Sequence, residues 1–550
     1  MKDFSKEIRA YALKNALEFG KTDAWKILPK LFQHGLDKKD IKSIVPKIAE
    51  IAEEVNSMDD TRRQRELRDL QGIVKEHVEE EKGLRELANA GKNMVFRLAP
   101  FPSGALHIGN AKTYLLNALY AEKYGAKIIF VIDDTIGSEE KQIAPEAYDL
   151  IKDAFDWLEV KYEEPIYYKS DRLEIYYEYA EKLIEKDKAY VCSCPIETLR
   201  KNREKGKECS CRRKTIEENK KLWKKMFDAE EGAFALRLKT SMQHPNPAFR
   251  DMVLFRISER KHPRVGNRYK VWPTLEMTWA IDDHLLGITH IIRGNELMIE
   301  SEMEKYIWDI FEWKHPELIH VGLIKIEGMG AKISKSKAQK EVKSGKFKGW
   351  DDPRTWSIQS LKRRGIRAAA IRKFVEEIGL NKQNIIVPID ALYSINRKMI
   401  DAEANRYSFA KDAKELKIVK KPKIESVEVP VHPDKAETRK IELGKIFISK
   451  DDLKYLKGKE VRLLHLYNIK LGRKIEFTSE ENKDIPKINW VSDGVETKIL
   501  MPDGKWISGM AEKAIEDIEE DEIIQFERFG FCRFDRVDEK GIYEFWFAHR

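Results

Sequence analysis

Apolar positions recur at helical spacing through the first ninety or so residues. Phe4, Ile8, Tyr11, Ala12 and Ala16 form one stripe, and Ile41, Ile44, Val45, Ile48, Ile51, Ala52 and Val55 form a cleaner one. Spacings of three and four residues bring each set onto one helix face. Pro46 is expected to open its helix rather than sit inside it, since a proline supplies no N–H to the ladder. Residues 57–89 are dense in charge and poor in Gly and Pro, which predicts an exposed helix. Nothing in this stretch carries chemistry. It reads as an appended helical interaction module over residues 1–92, with a further protein as its candidate partner.

The texture changes at Asn93. Residues 94–99 are a short strand candidate, followed by a turn punctuated by Pro100, Pro102 and Gly104, then Leu106, His107, Ile108, Gly109 and Asn110. An amphipathic helix is predicted from about Ala111 to Tyr124. After Gly125, residues 128–132 form an apolar run that ends in Asp133, Asp134 and Thr135. Strand, glycine turn, helix, apolar strand and carboxylate together make a nucleotide-binding α/β signature, and open parallel sheets bind ligands at the carboxyl ends of their strands. Residues 168–270 are more mixed. Strand-like texture returns over 271–294, residues 332–407 read as basic and helical, and 427–550 alternate in short β runs with turns at Asp493-Gly494, Asp503-Gly504 and Lys540-Gly541.

Composition narrows the class. A chain of 550 residues with 42% hydrophobic and 10% aromatic residues exceeds one domain and can pack several cores. Charged residues reach 36%, with 102 Lys+Arg against 94 Asp+Glu, which suggests a surface laced with ion pairs. No uninterrupted apolar stretch is long enough for a membrane helix, and the first residues lack a signal-peptide core, so the expected compartment is the cytoplasm. Five cysteines cannot make a disulfide framework for a chain of this length.

Two segments carry candidate chemistry. His107, Ile108, Gly109 and Asn110 open a helix directly after a strand, where free backbone amides attract phosphate and a glycine admits close approach. Lys332, Ser334, Lys335 and Ser336 lie in a glycine-containing context and suit a loop that neutralises a polyphosphate in a transition state. Taken singly, the first reads more readily as a turn histidine and the second as a solvated basic loop; together, far apart in the chain beside α/β elements, they are more specific.

At this point the chain resembles a known family. Residues 97–110 (RLAPFPSGALHIGN) and 332–336 (KISKS) resemble the two signature motifs of class I aminoacyl-tRNA synthetases. Residues 131–135 (VIDDT), 281–294 (IDDHLLGITHIIRG), 349–354 (GWDDPR) and 395–407 (INRKMIDAEANRY) resemble the glutamyl and glutaminyl members. In the C-terminal half, 501–504 (MPDG) and 525–530 (QFERFG) resemble the β-barrel region of the archaeal/eukaryotic type. The implied fold is multidomain, α/β plus all-β. It has an N-terminal helical domain (1–92), a Rossmann-type catalytic domain in two halves (93–167 and 271–330) and an inserted acceptor-stem-binding domain (168–270). A basic loop and helical domain (331–412) and C-terminal anticodon-binding β-barrels (413–550) complete it.

The resemblance implies a two-step reaction. Glutamate attacks the α-phosphate of ATP, with Mg²⁺ on the pyrophosphate, and the terminal ribose of the glutamate tRNA then attacks the adenylate. The glutamine tRNA is left open as a second acceptor. His107, Lys335 and Lys332 would be catalytic. The ATP site would comprise Pro100, Pro102, Ser103, Gly104, His107, Ile108, Gly109 and Asn110 with Lys332, Ser334, Lys335 and Ser336. Arg97, Asp133 and Arg293 would bind L-glutamate, Asp133 taking the ammonium and the arginines the carboxylates. A cation facing the side chain favours glutamate over glutamine, so a glutaminyl enzyme is the alternative that Arg293 disfavours. A small-molecule nucleotidyltransferase and a non-catalytic tRNA-binding relative are further alternatives. Two departures from the family pattern are Asn110, at the place of a second histidine, and Leu275, at the place of a substrate-contacting tyrosine.

Cys192, Cys194, Cys209 and Cys211 form two Cys-x-Cys pairs. Four thiolates suit tetrahedral zinc, although the one-residue spacing is tight; a reduced, metal-free loop is the alternative. Cys532 reads as a small core residue. Residues 201–214 hold seven basic and two acidic residues, and residues 331–373 hold fourteen and three. The net charge of +8 is therefore concentrated in two basic tracts, where contact with tRNA phosphate is expected.

Overall fold

The computed structural model describes residues 3–36, 40–74, 83–136, 142–328 and 335–550. The chain forms two compact units, residues 1–82 and 83–550. The first is helical, with Ser5–Phe19, Ala24–Leu31, Ile41–Asn56 and Asp60–Leu70. Its core holds Phe4, Ile8, Tyr11, Ile44, Ile48 and Val55, the apolar stripes of the sequence. Pro46 lies inside the helix Ile41–Asn56 and does not open it. It forfeits one ladder bond near the N-terminus, and burial of the stripe outweighs that loss. The exposed helix expected over 57–89 covers only Asp60–Leu70, and residues 75–82 lie outside the described residues. Leu84 and Leu87 pack in the core of the second unit, so the compact boundary falls at 82/83 rather than 92/93.

The second unit is organised by a five-stranded parallel sheet. Its strands are β1 (Val95–Leu98), β2 (Lys127–Ile132), β3 (Glu163–Tyr168), β4 (His290–Gly294) and β5 (Glu317–Val321), in the order β3-β2-β1-β4-β5. Phe96 pairs with His290 across β1 and β4, where the strand order reverses, the place at which open α/β sheets bind their ligands. Helix α1 (Ile108–Tyr124) follows β1 and buries Leu115, Leu116 and Tyr120 against the sheet. It starts three residues before the amphipathic pattern suggested, because Asn110 Oδ1 accepts the His107 backbone N–H at 2.9 Å and closes the N-terminus.

An antiparallel sheet of Ala189–Cys192, Ala235–Leu238, Val253–Ile257 and Val271–Pro273 is inserted between β3 and β4. Residues 271–273, assigned by pattern to the second catalytic half, pair with this inserted sheet. The segment up to β4 is helix α2 (Leu275–Leu285), not strand, and helix α3 (Met298–Phe311) follows β4. Residues 335–400 are chiefly helical, with one strand, Ile385–Pro388, paired to Ile324–Glu327.

The β region begins at Arg406–Tyr407, ahead of the expected 413. That strand and Phe409–Lys411 are the two ends of a seven-stranded sheet. Only Ser408 separates them in the chain, so the edges meet and the sheet closes as a barrel. Cys532 is buried in its core. A second β core gathers Ile446, Ile448, Val461, Leu463, Ile469 and Trp490. Among the described residues no helix is long and apolar enough to cross a membrane.

Candidate active site

The turn after β1 is pinned to the neighbouring strand. The backbone N–H of Asp133 donates to the Pro100 carbonyl at 3.0 Å, and that of Ala144 donates to Pro102 at 2.9 Å. Ser103 N–H turns back onto the Phe101 carbonyl. Gly104 has φ +145°, and a Cβ there would stand 2.2 Å from the Trp350 ring, so both the backbone and the close approach require glycine. Ile108 is buried in the core. At Gly109 a Cβ would meet the His107 ring at 3.1 Å, so the glycine keeps that imidazole in place at the helix entrance. His107 also bridges Ser357, and Ile358 N–H donates to the Leu106 carbonyl, which docks the motif on the helical region downstream.

Lys332 and Ser334 of the second motif lie outside the described residues. Lys335 and Ser336 begin the helix Lys335–Lys343, and their side chains lie outside the described part.

Arg97 on β1, Asp133 at the end of β2 and Arg293 on β4 converge at the carboxyl edge of the sheet, and each has an ionic partner. Arg97 donates from Nε and Nη2 to the two carboxylate oxygens of Asp283 on α2, the second at 3.3 Å. Arg293 forks onto Glu304 of α3, with Nη1 2.7 Å from Oε1 and Nη2 on Oε2. Lys169, the residue after β3, places Nζ 3.1 Å from Asp133 Oδ1 and 2.6 Å from Thr278 Oγ1. All three cations lie over the Trp279 ring of α2, Arg97 at 4.6 Å from its centroid, Lys169 at 5.0 Å and Arg293 at 5.3 Å. Beside them Arg172 pairs with Asp282 at 2.9 Å, and the Tyr176 hydroxyl donates to the same carboxylate.

These groups are out of water: Lys169, Asp133 and Glu304 are fully buried. Burial pushes the Lys169 ammonium pKa down and the Asp283 carboxyl up to about 6. Burial also opposes the Arg293 charge, but the Glu304 carboxylate overrides it and raises that pKa. Three buried polar atoms in the cluster have no partner among the described residues: Asp133 Oδ2, Arg293 Nε and Trp279 Nε1. They offer one acceptor and two donors to a small zwitterion.

The expected bare cation at Arg293 needs correcting. Its fork is already neutralised by Glu304, so discrimination rests on the donors that remain. Lys169, Thr278, Trp279, Asp283 and Glu304 were not anticipated. Asp283 falls within residues 281–294, which resemble the family, whereas Trp279 reads as core and Glu304 as one face of an amphipathic helix. Leu275 is the first residue of α2 and half-buried.

The cysteines gather as their spacing suggests. The four Sγ atoms all lie within 4.8 Å of one another, with Cys192 to Cys209 at 3.8 Å and Cys194 to Cys211 at 3.9 Å. A zinc tetrahedron with Zn–S of about 2.3 Å has an edge of about 3.8 Å. The Cys192 hydrogen bond holds the Cys209 pKa down to about 4, and Arg237 Nη1 lies 3.9 Å from both sulfurs.

The long basic tract is less available than its composition implies. Arg363 is shared by Asp351 and Asp535, Arg372 pairs with Glu122, and Arg364 is fully buried on the Phe547 and Ala548 carbonyls. Lys340, Lys343 and Lys348 are exposed, as are Lys201, Lys205, Lys207 and Arg213 of the shorter tract.

Class I tRNA synthetases (E and Q), catalytic domain, is the family that matches residues 93–402, and the anticodon-binding domains of that family match 404–490 and 475–535. The chain belongs to this family. It is 39% identical over 561 residues to the glutamate-tRNA ligase of Methanocaldococcus jannaschii, covering 99% of this chain and 100% of that one. With the glutamate-tRNA ligase of Pyrococcus furiosus it shares 41% over 573 residues, 98% of each chain. With that of Methanothermobacter thermautotrophicus it shares 37% over 558 residues, again 98% of each.

Proposed function

We propose that the chain is an ATP-dependent glutamate-tRNA ligase, which forms glutamyl-adenylate and transfers glutamate to the terminal ribose of the glutamate tRNA. The observation that carries this reading is the end-to-end likeness, near 40% identity, to archaeal glutamate-tRNA ligases. The buried acceptor and donors at Asp133, Arg293 and Trp279 suit an amino acid with an acidic side chain.

In this reading Asp133 Oδ2 receives the substrate ammonium, and Arg97 and Arg293 orient its carboxylates. ATP lies along the turn 100–110, with its phosphates at the N-terminus of α1 against His107 and Asn110. Lys335, with Lys332, Ser334 and Ser336, neutralises charge that develops on the phosphates. Nothing here requires a protein nucleophile, because positioning and charge neutralisation lower the barrier. Mg²⁺ bound with ATP would supply further charge neutralisation.

Zinc is the ion the four thiols fit. Cys192, Cys194, Cys209 and Cys211 would hold it as a closed structural site, with Arg237 offsetting the thiolate charge. The exposed lysines beside this knuckle and on the helix Lys335–Lys343 would contact tRNA phosphates.

Charging total tRNA with labelled glutamate or glutamine in the presence of ATP tests the reading. Glutamate is expected to be incorporated; incorporation of glutamine instead would refute it. Repeating the assay with purified glutamate and glutamine tRNAs tells whether the acceptor is one or both.

A further inference from the structure

Glu304 and Asp283 neutralise the two arginine forks from within the protein, so net positive charge cannot by itself select glutamate. What remains is hydrogen-bond direction. Arg293 Nε and Trp279 Nε1 are both buried, both lack a partner among the described residues, and both can only donate. Their side chains lie together, with the guanidinium 5.3 Å from the indole centroid.

We propose that Trp279 is a specificity-determining residue of the amino-acid pocket, its indole N–H acting with Arg293 Nε as a pair of donors to the substrate's side-chain carboxylate. This rests on the glutamate reading above. A carboxylate presents an acceptor at both oxygens and satisfies both donors. A carboxamide presents a single acceptor oxygen, so two donors placed to meet two separate oxygens would leave one of them facing the NH₂ and unpaired. A site built to pair a polar group rejects the analogue that cannot pair it far more strongly than an apolar pocket rejects an isostere. The ring itself carries the second half of the role. It lies under Arg97, Lys169 and Arg293 at once, so it holds the cations in register while its edge donates.

The test is Trp279→Phe, which keeps a smaller aromatic ring beneath the cations and deletes the donor. In tRNA-charging assays its KM for glutamate should rise about tenfold, with KM for ATP and for tRNA unchanged. The ratio of kcat/KM for glutamate over glutamine should fall by a similar factor. If the ring merely packs, its replacement would lower stability or raise all three KM values together and leave the ratio alone. If the Phe protein fails to fold, Trp279→Met, which lacks the N–H and brings no other donor, is read in the same way. Wild-type protein that charges glutamate, with a variant whose glutamate KM and preference stay within twofold, overturns the inference and spares the glutamate reading. Wild-type protein that charges no glutamate overturns both.

Discussion

Lys169 Nζ lies 3.1 Å from Asp133 Oδ1, and both side chains are closed off from solvent. The ammonium neutralises one half of the carboxylate and leaves Oδ2 without a partner among the described residues. Lys169→Met should therefore strand a buried carboxylate and cost about 3–5 kcal/mol, whereas the double variant Lys169→Met with Asp133→Leu should regain most of it. Denaturant unfolding of the three proteins checks this. A single variant as stable as the parent would refute the pairing.

The Arg97–Asp283 pair should titrate. Burial lifts the Asp283 carboxyl to about 6, above its ordinary 3.8. As pH falls through about 6, Asp283 takes a proton and Arg97 loses its anionic partner, so the KM for glutamate should rise on the acid side. Asp283→Asn should show the raised KM at neutral pH and no inflection. The stability contribution runs the other way: with a raised folded pKa it is largest in acid and lost as pH rises through about 6.

His549 gives a pH effect remote from the site. Its Nε2 meets Asn396 Nδ2 at 2.9 Å, and its Nδ1 meets the Arg550 carbonyl at 3.0 Å. Only the neutral ring, with the proton on Nδ1, can accept from that amide. Burial lowers the pKa from 6.5 to about 4. Stability held above pH 6.5 is thus lost as pH falls towards 4, by about 3 kcal/mol from this group. His549→Gln should show a shallower loss between those pH values in thermal melts, and an equally steep one would count against the assignment.

Cys209→Ser should abolish zinc binding. The parent is expected to carry one zinc per chain by elemental analysis after purification without added chelator, and the variant close to none. Equal metal content in both would show that the thiols do not hold it.

Lys335→Ala should lose adenylate formation by more than a hundredfold on the order of a removed transition-state contact. Filter binding of tRNA should be little changed. Near-normal charging would exclude the lysine from the reaction.

Much of the architecture was legible in the periodicity. The stripes of residues 1–55, the strand runs near 95 and 128, and the β texture past 427 all mark elements that bury one face, and one buried face leaves a repeat of 3.6 or 2 in the chain. Local rules failed where tertiary burial competed with them. Pro46 stays inside a helix because its neighbours are covered, and Val271–Pro273 joins the inserted sheet because pairing partners are chosen in space.

The candidate site divides along the same line. The sequence by itself determined the family, the turn with His107 and Asn110, the cysteine pairs, and the positions of Arg97, Asp133 and Arg293, because their order along the chain is itself the motif. Only the tertiary structure decided that Asp283, Glu304 and Lys169 already compensate those charges, that Trp279 lies beneath all three cations, and that much of the basic tract is spent on internal ion pairs. Charge compensation depends on distances of about 3 Å between residues on different elements, and neither composition nor spacing encodes those distances.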